Sequence, residues 1–146
     1  MEHRKTESLK PATSYTRIDD DGTPYLEGSK CQKCSTVFLG LREHCGRCGS
    51  RDSMHTIRLG DRGRLYDYTI VYRSYPGIQV PFISAIVDLD GGGVVKGNLL
   101  EVRPDPGSVR FDMPVKVVFR GAELSNADGA GYVAHFFIPD SESSHG

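Results

Sequence analysis

The sequence predicts an all-β fold, and three observations carry that prediction. Seventeen glycines and eight prolines, with no tryptophan, mark a chain rich in turns. From Gly60 onward, short runs alternate apolar and polar residues with the two-residue period of a strand. No stretch carries the 3.6-residue apolar period of a long amphipathic helix. The 146 residues leave room for one domain of about 100 residues and a small appendage.

Residues 1–24 are polar, include Asp19, Asp20, Asp21 and Gly22, and show no sustained period, so they read as a tail able to wrap onto a partner. Residues 25–59 contain the four cysteines of the chain, in the turns Cys31-Gln-Lys-Cys34 and Cys45-Gly-Arg-Cys48. Each C-x2-C turn aims two sulfurs at one centre, and two such turns face to face make the tetrahedral sulfur cage that suits zinc. An iron site with the same ligands and a disulfide framework are the rival readings. Gly46 and Gly49 are expected to give the second knuckle its positive-φ backbone, while Ser35 stands where the first would carry glycine. With all four cysteines as ligands no position stays open for water or substrate, so the ion is expected to be one structural Zn2+. The hairpin between the pairs, Ser35 to Arg42, is too short to build a core, so metal binding must supply much of the folding energy. Residues 49–58 then give the last strand of a zinc ribbon.

Gly60-Asp61-Arg62-Gly63 is a turn that opens a second domain, assigned to residues 60–140. Its first strand is expected to place Leu65, Thr69 and Val71 on one face and Tyr66, Tyr68, Ile70 and Tyr72 on the other. After the loop Tyr75 to Pro81, a second strand from Phe82 to Leu89 turns Ile83, Ala85, Val87 and Leu89 inward, and Asp88 to Gly93 closes a hairpin. Val94 to Val102 is the third strand and Val109 to Met113 a short turn. Pro114 to Arg120 is the fourth strand, with Val115, Val117 and Phe119 on one side. A polar loop over residues 121–131 leads to the fifth, Tyr132 to Ile138, and residues 141–146 read as a disordered tail. Five strands in about 80 residues suit a small closed barrel, of which the OB-fold is the five-stranded version; an SH3-like barrel is the alternative.

Eighteen basic against nineteen acidic residues give a net charge of −1 and no general attraction to polyphosphate backbones. No window approaches the ~18 apolar residues of a membrane span, and the N-terminus lacks an apolar run. Paired thiols meant for metal suit a reducing compartment, so a cytoplasmic protein without membrane contact is expected.

The order of Leu26 to Cys31, Cys34, Arg42, Cys45 to Ser50, Gly60, Gly63 to Thr69, Ala85 to Gly91, Met113 to Val115 and Phe137 to Pro139 resembles a known family. It is that of the thiolase-associated acyl-CoA proteins built from a rubredoxin-type zinc ribbon and an OB-fold, and the likeness runs from Tyr25 to Pro139. Members include partners in acetoacetyl-CoA thiolase assemblies, steroid side-chain aldolases and the benzoylsuccinyl-CoA thiolase. The resemblance implies a non-catalytic subunit that docks on a thiolase-fold catalytic subunit, stabilises it, and helps form its acyl-CoA channel, so that acyl-CoA or CoA is bound jointly. Two departures stand out: no helix is evident in residues 1–24, and Asp112 takes the place of the glycine expected before Met113.

For such a channel the loop from Arg73 to Ile78, with Tyr75, and the adjacent Phe82 offer a cation for phosphate and aromatic surface for an acyl or aryl group. Arg42 and Arg47 are rival phosphate candidates; plain solvated charge is the simpler account of either arginine. Tyr66, Tyr68 and Tyr72 fit barrel packing or a subunit interface. No catalytic residue is expected. A thiolase needs a free cysteine, and His3, His44, His55, His135 and His145 are scattered outside any nucleophile motif. His44 reads as an exposed neighbour of the knuckle and His135 as a hydrogen-bonded barrel residue. The competing function is a single-stranded nucleic-acid module, since ribbons and OB barrels both occur in such proteins. Asp67, Asp88, Asp90 and Glu101 interrupt its strands, and the one local basic cluster is Arg58, Arg62 and Arg64, which makes that reading the weaker. An independent zinc hydrolase or redox protein is disfavoured by the filled metal shell.

Overall fold

The computed structural model describes residues 10–122 and 132–140. The segments read as the end of the polar loop and as the C-terminal tail lie outside these residues. Ten strands and no helix occur among the described residues. They are β1 (Lys10–Pro11), β2 (Thr16–Ile18), β3 (Pro24–Cys31), β4 (Val37–Leu39), β5 (Met54–Arg58), β6 (Arg62–Val71), β7 (Phe82–Leu89), β8 (Val94–Leu99), β9 (Pro114–Ala122) and β10 (Tyr132–Pro139). The chain divides into two compact units, one ending at Leu59 and joined by Phe119–His135, the other formed by Gly60–Val118 with the chain from Phe136 onward.

The first unit is built on β3. One of its edges holds β2 through Thr16–Leu26 and β4 through Gly28–Leu39; the other holds β5 from Glu27–Arg58 to Cys31–Met54. Gly28 sits at the crossing because a Cβ there would meet Leu59 Cδ2 at 2.5 Å and the Phe38 carbonyl at 2.6 Å. Ser29, 2% exposed, ties the loop beyond β4 by donating to the Gly40 carbonyl (2.8 Å) and accepting from the Arg42 amide (3.1 Å). The segment expected to be a tail contains β2, whose turn into β3 is held by Asp19. Its Oδ1 accepts from the Asp21 and Thr23 amides, while Oδ2 meets Arg58 at 3.0 Å. Arg58 also lies 3.8 Å over the Tyr25 ring. A three-residue strand with one inward threonine leaves no period for sequence reading to find.

The barrel strands follow the order β10-β8-β7-β6-β9, and a β9–β10 pairing closes the ring. This is the five-stranded OB-type barrel, with β1 added beside β10. Ile83, Ala85, Val87 and Leu89 point inward as expected, joined by Leu65, Val95, Leu99, Val115, Val117 and Phe137, all buried. The expected faces of β6 hold only for its first half. A bulge between Leu65 and Asp67 inserts one residue against β7, so the inward set passes from Gly63 and Leu65 to the half-buried Tyr68 and Ile70, while Thr69 is exposed. Alternation cannot be carried across a bulge.

Candidate metal centre

Each knuckle is folded by the same pair of backbone bonds. In the first, Ser35 N–H donates to Cys31 O (2.8 Å) and Cys31 N–H to Thr36 O (2.9 Å); in the second, Gly49 N–H donates to Cys45 O and Cys45 N–H to Ser50 O, both at 2.9 Å. The residue after each second cysteine is left-handed, Ser35 at φ 64° and Gly49 at φ 77°. Gly46 is not among the positive-φ glycines, so the backbone demand falls on Gly49 alone. Serine at the matching position carries strain that glycine would not. The amides of Arg47 and Cys48 both point at Cys45 Sγ, 3.4 Å away, as donors to a thiolate.

The result brings Cys31, Cys34, Cys45 and Cys48 together, with all four Sγ atoms within 4.8 Å of one another. The closest pairs are Cys34–Cys45 at 3.6 Å and Cys31–Cys48 at 3.7 Å. An ion bonded to four sulfurs at ~2.3 Å sets them ~3.8 Å apart, whereas a disulfide needs ~2.05 Å, so the cluster fits a tetrahedral metal and not a pair of bridges. Charge points the same way. Hydrogen bonding with the Thr36 side chain and backbone pulls the Cys34 thiol down to about 6. Cys48 is pulled down by the Ser50 amide, but burial and the crowded neighbouring sulfurs push it up to about 11. Four thiolates cannot share this space without a cation to neutralise them. Zinc would be held by these four side chains, and with all four positions taken its role there would be structural.

The other expected site residues divide between the units. In the first, Arg42 is exposed with its guanidinium 4.9 Å over the Phe38 ring, and Arg47 is exposed on the second knuckle. His44 is exposed and outside the sulfur cluster; its backbone pairs with Arg51. His135 is buried with its ring 5.8 Å from that of Tyr15. In the second unit, Arg73 is exposed and Tyr75 is 82% exposed. Phe82 is half-buried in the wall of a cleft of about 550 Å³. Ile78, Leu99, Leu100 and Val102 line that cleft with Gln79, Asn98 and Glu101, while Arg73 and Tyr75 do not. Of the residues singled out in the sequence, Phe82 and Ile78 line this cleft; the segment Asn98–Pro104, which also contributes to it, carries no sequence signal because the concavity exists only once β7 and β8 lie side by side. Asp112, the departure from glycine, keeps the left-handed backbone at φ 64°. It is fixed by its amide to Leu65 O (2.7 Å) and by Arg64 Nη1 to its own carbonyl (3.1 Å).

Residues 56–120 match the family described as "ChsH2, C-terminal OB-fold domain". A DUF35 domain-containing scaffold protein of Methanocaldococcus jannaschii is 29% identical over 116 residues, spanning 78% of this chain and 81% of that one. The benzoylsuccinyl-CoA thiolase subunit BbsA of Geobacter metallireducens is 30% identical over 95 residues, 61% of this chain and 64% of its own. Among solved structures, the Ltp2-ChsH2(DUF35) aldolase superposes with a TM-score of 0.59 at 24% identity, over 79% of this chain and 84% of that one, which supports the fold. With a four-cysteine cluster ahead of a barrel that carries the ChsH2 pattern, the chain is similar in both of its parts to the thiolase-associated ribbon and OB-fold proteins.

Proposed function

We propose that the chain is a non-catalytic auxiliary subunit of a thiolase-superfamily enzyme that makes or breaks carbon–carbon bonds in an acyl-CoA. One observation carries this reading. A chain whose relatives include thiolase subunits and scaffold proteins has all four of its cysteines in one closed cage, so the nucleophile must come from another polypeptide. The ribbon, locked by one zinc, and the barrel then supply shape: they stabilise the catalytic subunit and complete its acyl-CoA channel.

Within that channel the cleft beside Phe82 suits the acyl group. Most of its wall is apolar, and its one charged lining residue is Glu101, which repels phosphate. The phosphates of CoA are therefore assigned to exposed arginines, Arg73 on the barrel or Arg42 and Arg47 on the ribbon, with Tyr75 adding aromatic surface. Thiols kept for metal suit the cytoplasm. Two preparations test the reading: the purified chain alone, and the chain with the thiolase-fold subunit that co-purifies with it. We expect one zinc per chain, no acyl-CoA turnover by the chain, and turnover once the partner is added. Turnover by the chain alone contradicts it.

A further inference from the structure

The outer edge of β6 changes character at the bulge. Before it, Arg62, Gly63 and Arg64 pair with β9, and Leu65 exchanges bonds with Met113 O (3.0 Å) and the Asp112 amide (2.7 Å). Beyond it, from Tyr68 to Val71, no strand lies along that edge among the described residues, although the other edge stays paired with β7. Amide directions follow from the hairpins. Asp90 N–H reaches Arg62 O and Leu89 N–H reaches Gly93 O, so even-numbered residues of β7 face β6 and odd ones face β8. With Asp67 opposite Ile86, Thr69 opposite Ser84 and Val71 opposite Phe82, the odd residues of β6 bond to β7, and the amides of Tyr68 and Ile70 point outward. The Tyr68 amide agrees: it donates to Asp67 Oδ1 at 2.9 Å, a side chain covering the start of the open edge.

We propose that this edge pairs with its own copy, antiparallel, about a twofold axis at Ile70. The two Ile70 residues then exchange both backbone bonds, and Tyr68 exchanges bonds with Tyr72 of the other copy. The side chains are self-complementary in this register. Asp67 stands opposite Arg73, twice, Tyr68 opposite Tyr72, and Thr69 opposite Val71. The Asp67 carboxylate leaves the Tyr68 amide for the facing Arg73. Tyr72, 62% exposed, closes on the Tyr68 ring, which already lies 5.1 Å from the 64% exposed Phe111. Sliding the pair by one step, to an axis at Thr69, sets Asp67 against Val71 and loses both charge pairs, so opposite charge selects the register. An isologous contact of this kind closes at a dimer. The inference needs no catalytic subunit, and it touches the proposed function at one point: with Arg73 engaged by Asp67 of the other copy, the phosphate assignment falls to Arg42 and Arg47.

Sedimentation equilibrium of the full chain over a range of concentrations tests it. We expect a reversible dimer. Ile70→Pro removes an outward amide without touching the β7 ladder and should give a monomer. Arg73→Asp puts like charges opposite each other twice and should weaken dimerisation roughly tenfold. The double variant Asp67→Arg with Arg73→Asp should restore it, which decides the matter even if the proline variant fails to fold. A chain that is monomeric throughout, or a dimer indifferent to charge reversal, overturns the proposal. So does a monomer whose Ile70 amide becomes protected from exchange only when a catalytic subunit is added, which would assign the edge to that subunit.

Discussion

The two units hold themselves together by different means. Between Thr16 and Leu59 the buried apolar side chains are Leu26, Leu59 and two of the cysteines, and the buried polar ones are Thr16, Glu27, Ser29 and Ser53. From Leu65 to Phe137 the barrel buries a continuous set of valines, leucines, Ile83 and Phe137. The first has a four-cysteine cluster fit for a metal and a few placed hydrogen bonds to hold it; the second has apolar area. The contrast says that shape in this chain is kept by two independent devices, which fail under different conditions.

The largest expected effect breaks the first device alone. Cys45→Ser should abolish metal binding and unfold the ribbon, since structural zinc contributes on the order of 10 kcal/mol in such modules. Two-dimensional NMR should show amide signals from residues 25–59 collapsing while those of β7 and β8 persist. Loss of both sets together would mean that the devices are not independent. The complementary break is Phe137→Ala, fully buried in the barrel, expected to cost about 3–5 kcal/mol by denaturant titration and to leave zinc stoichiometry unchanged.

Smaller changes sharpen the comparison. Ser35→Gly relieves a left-handed serine and should stabilise the ribbon by about 1 kcal/mol, seen as a higher denaturation midpoint for ribbon signals only. Asp19 gives the smallest effect. The hydrogen bond from Arg58, then that from the Thr23 amide, holds its carboxyl below the ordinary 3.8. A depressed carboxyl contributes stability above its unfolded pKa and loses it as pH falls through the folded value. Asp19→Asn should therefore lower the ribbon's melting temperature slightly near neutrality, where the ionised carboxylate contributes, and leave it unchanged at pH below the folded value, which flattens the acid end of the profile. An unaltered acid profile would show that the Asp19–Arg58 contact contributes nothing.

Much of this was legible in the sequence, for identifiable reasons. The C-x2-C spacing dictates the knuckles because a two-residue turn leaves the sulfurs little choice of direction. Ile83 to Leu89 gave its inward face because β7 is regular throughout. What escaped was non-periodic or non-local. The bulge after Leu65 reset the faces of β6, β2 was too short to show a period, and the cleft needed residues from two strands to meet. Ser35 and Asp112 are instructive in another way. Both were marked by the absence of an expected glycine, and both keep the backbone that glycine would have taken. Pattern departures of this kind changed the side chain and left the local fold alone.

The central claim is that all four sulfurs are ligands and none is a reagent. Metal analysis of the purified chain, paired with thiol titration before and after chelation, tests it most directly. The account predicts one zinc per chain, no reactive thiol while the metal is bound, and four once it is removed. A folded chain with no metal, or a thiol that reacts with the zinc still in place, would contradict it.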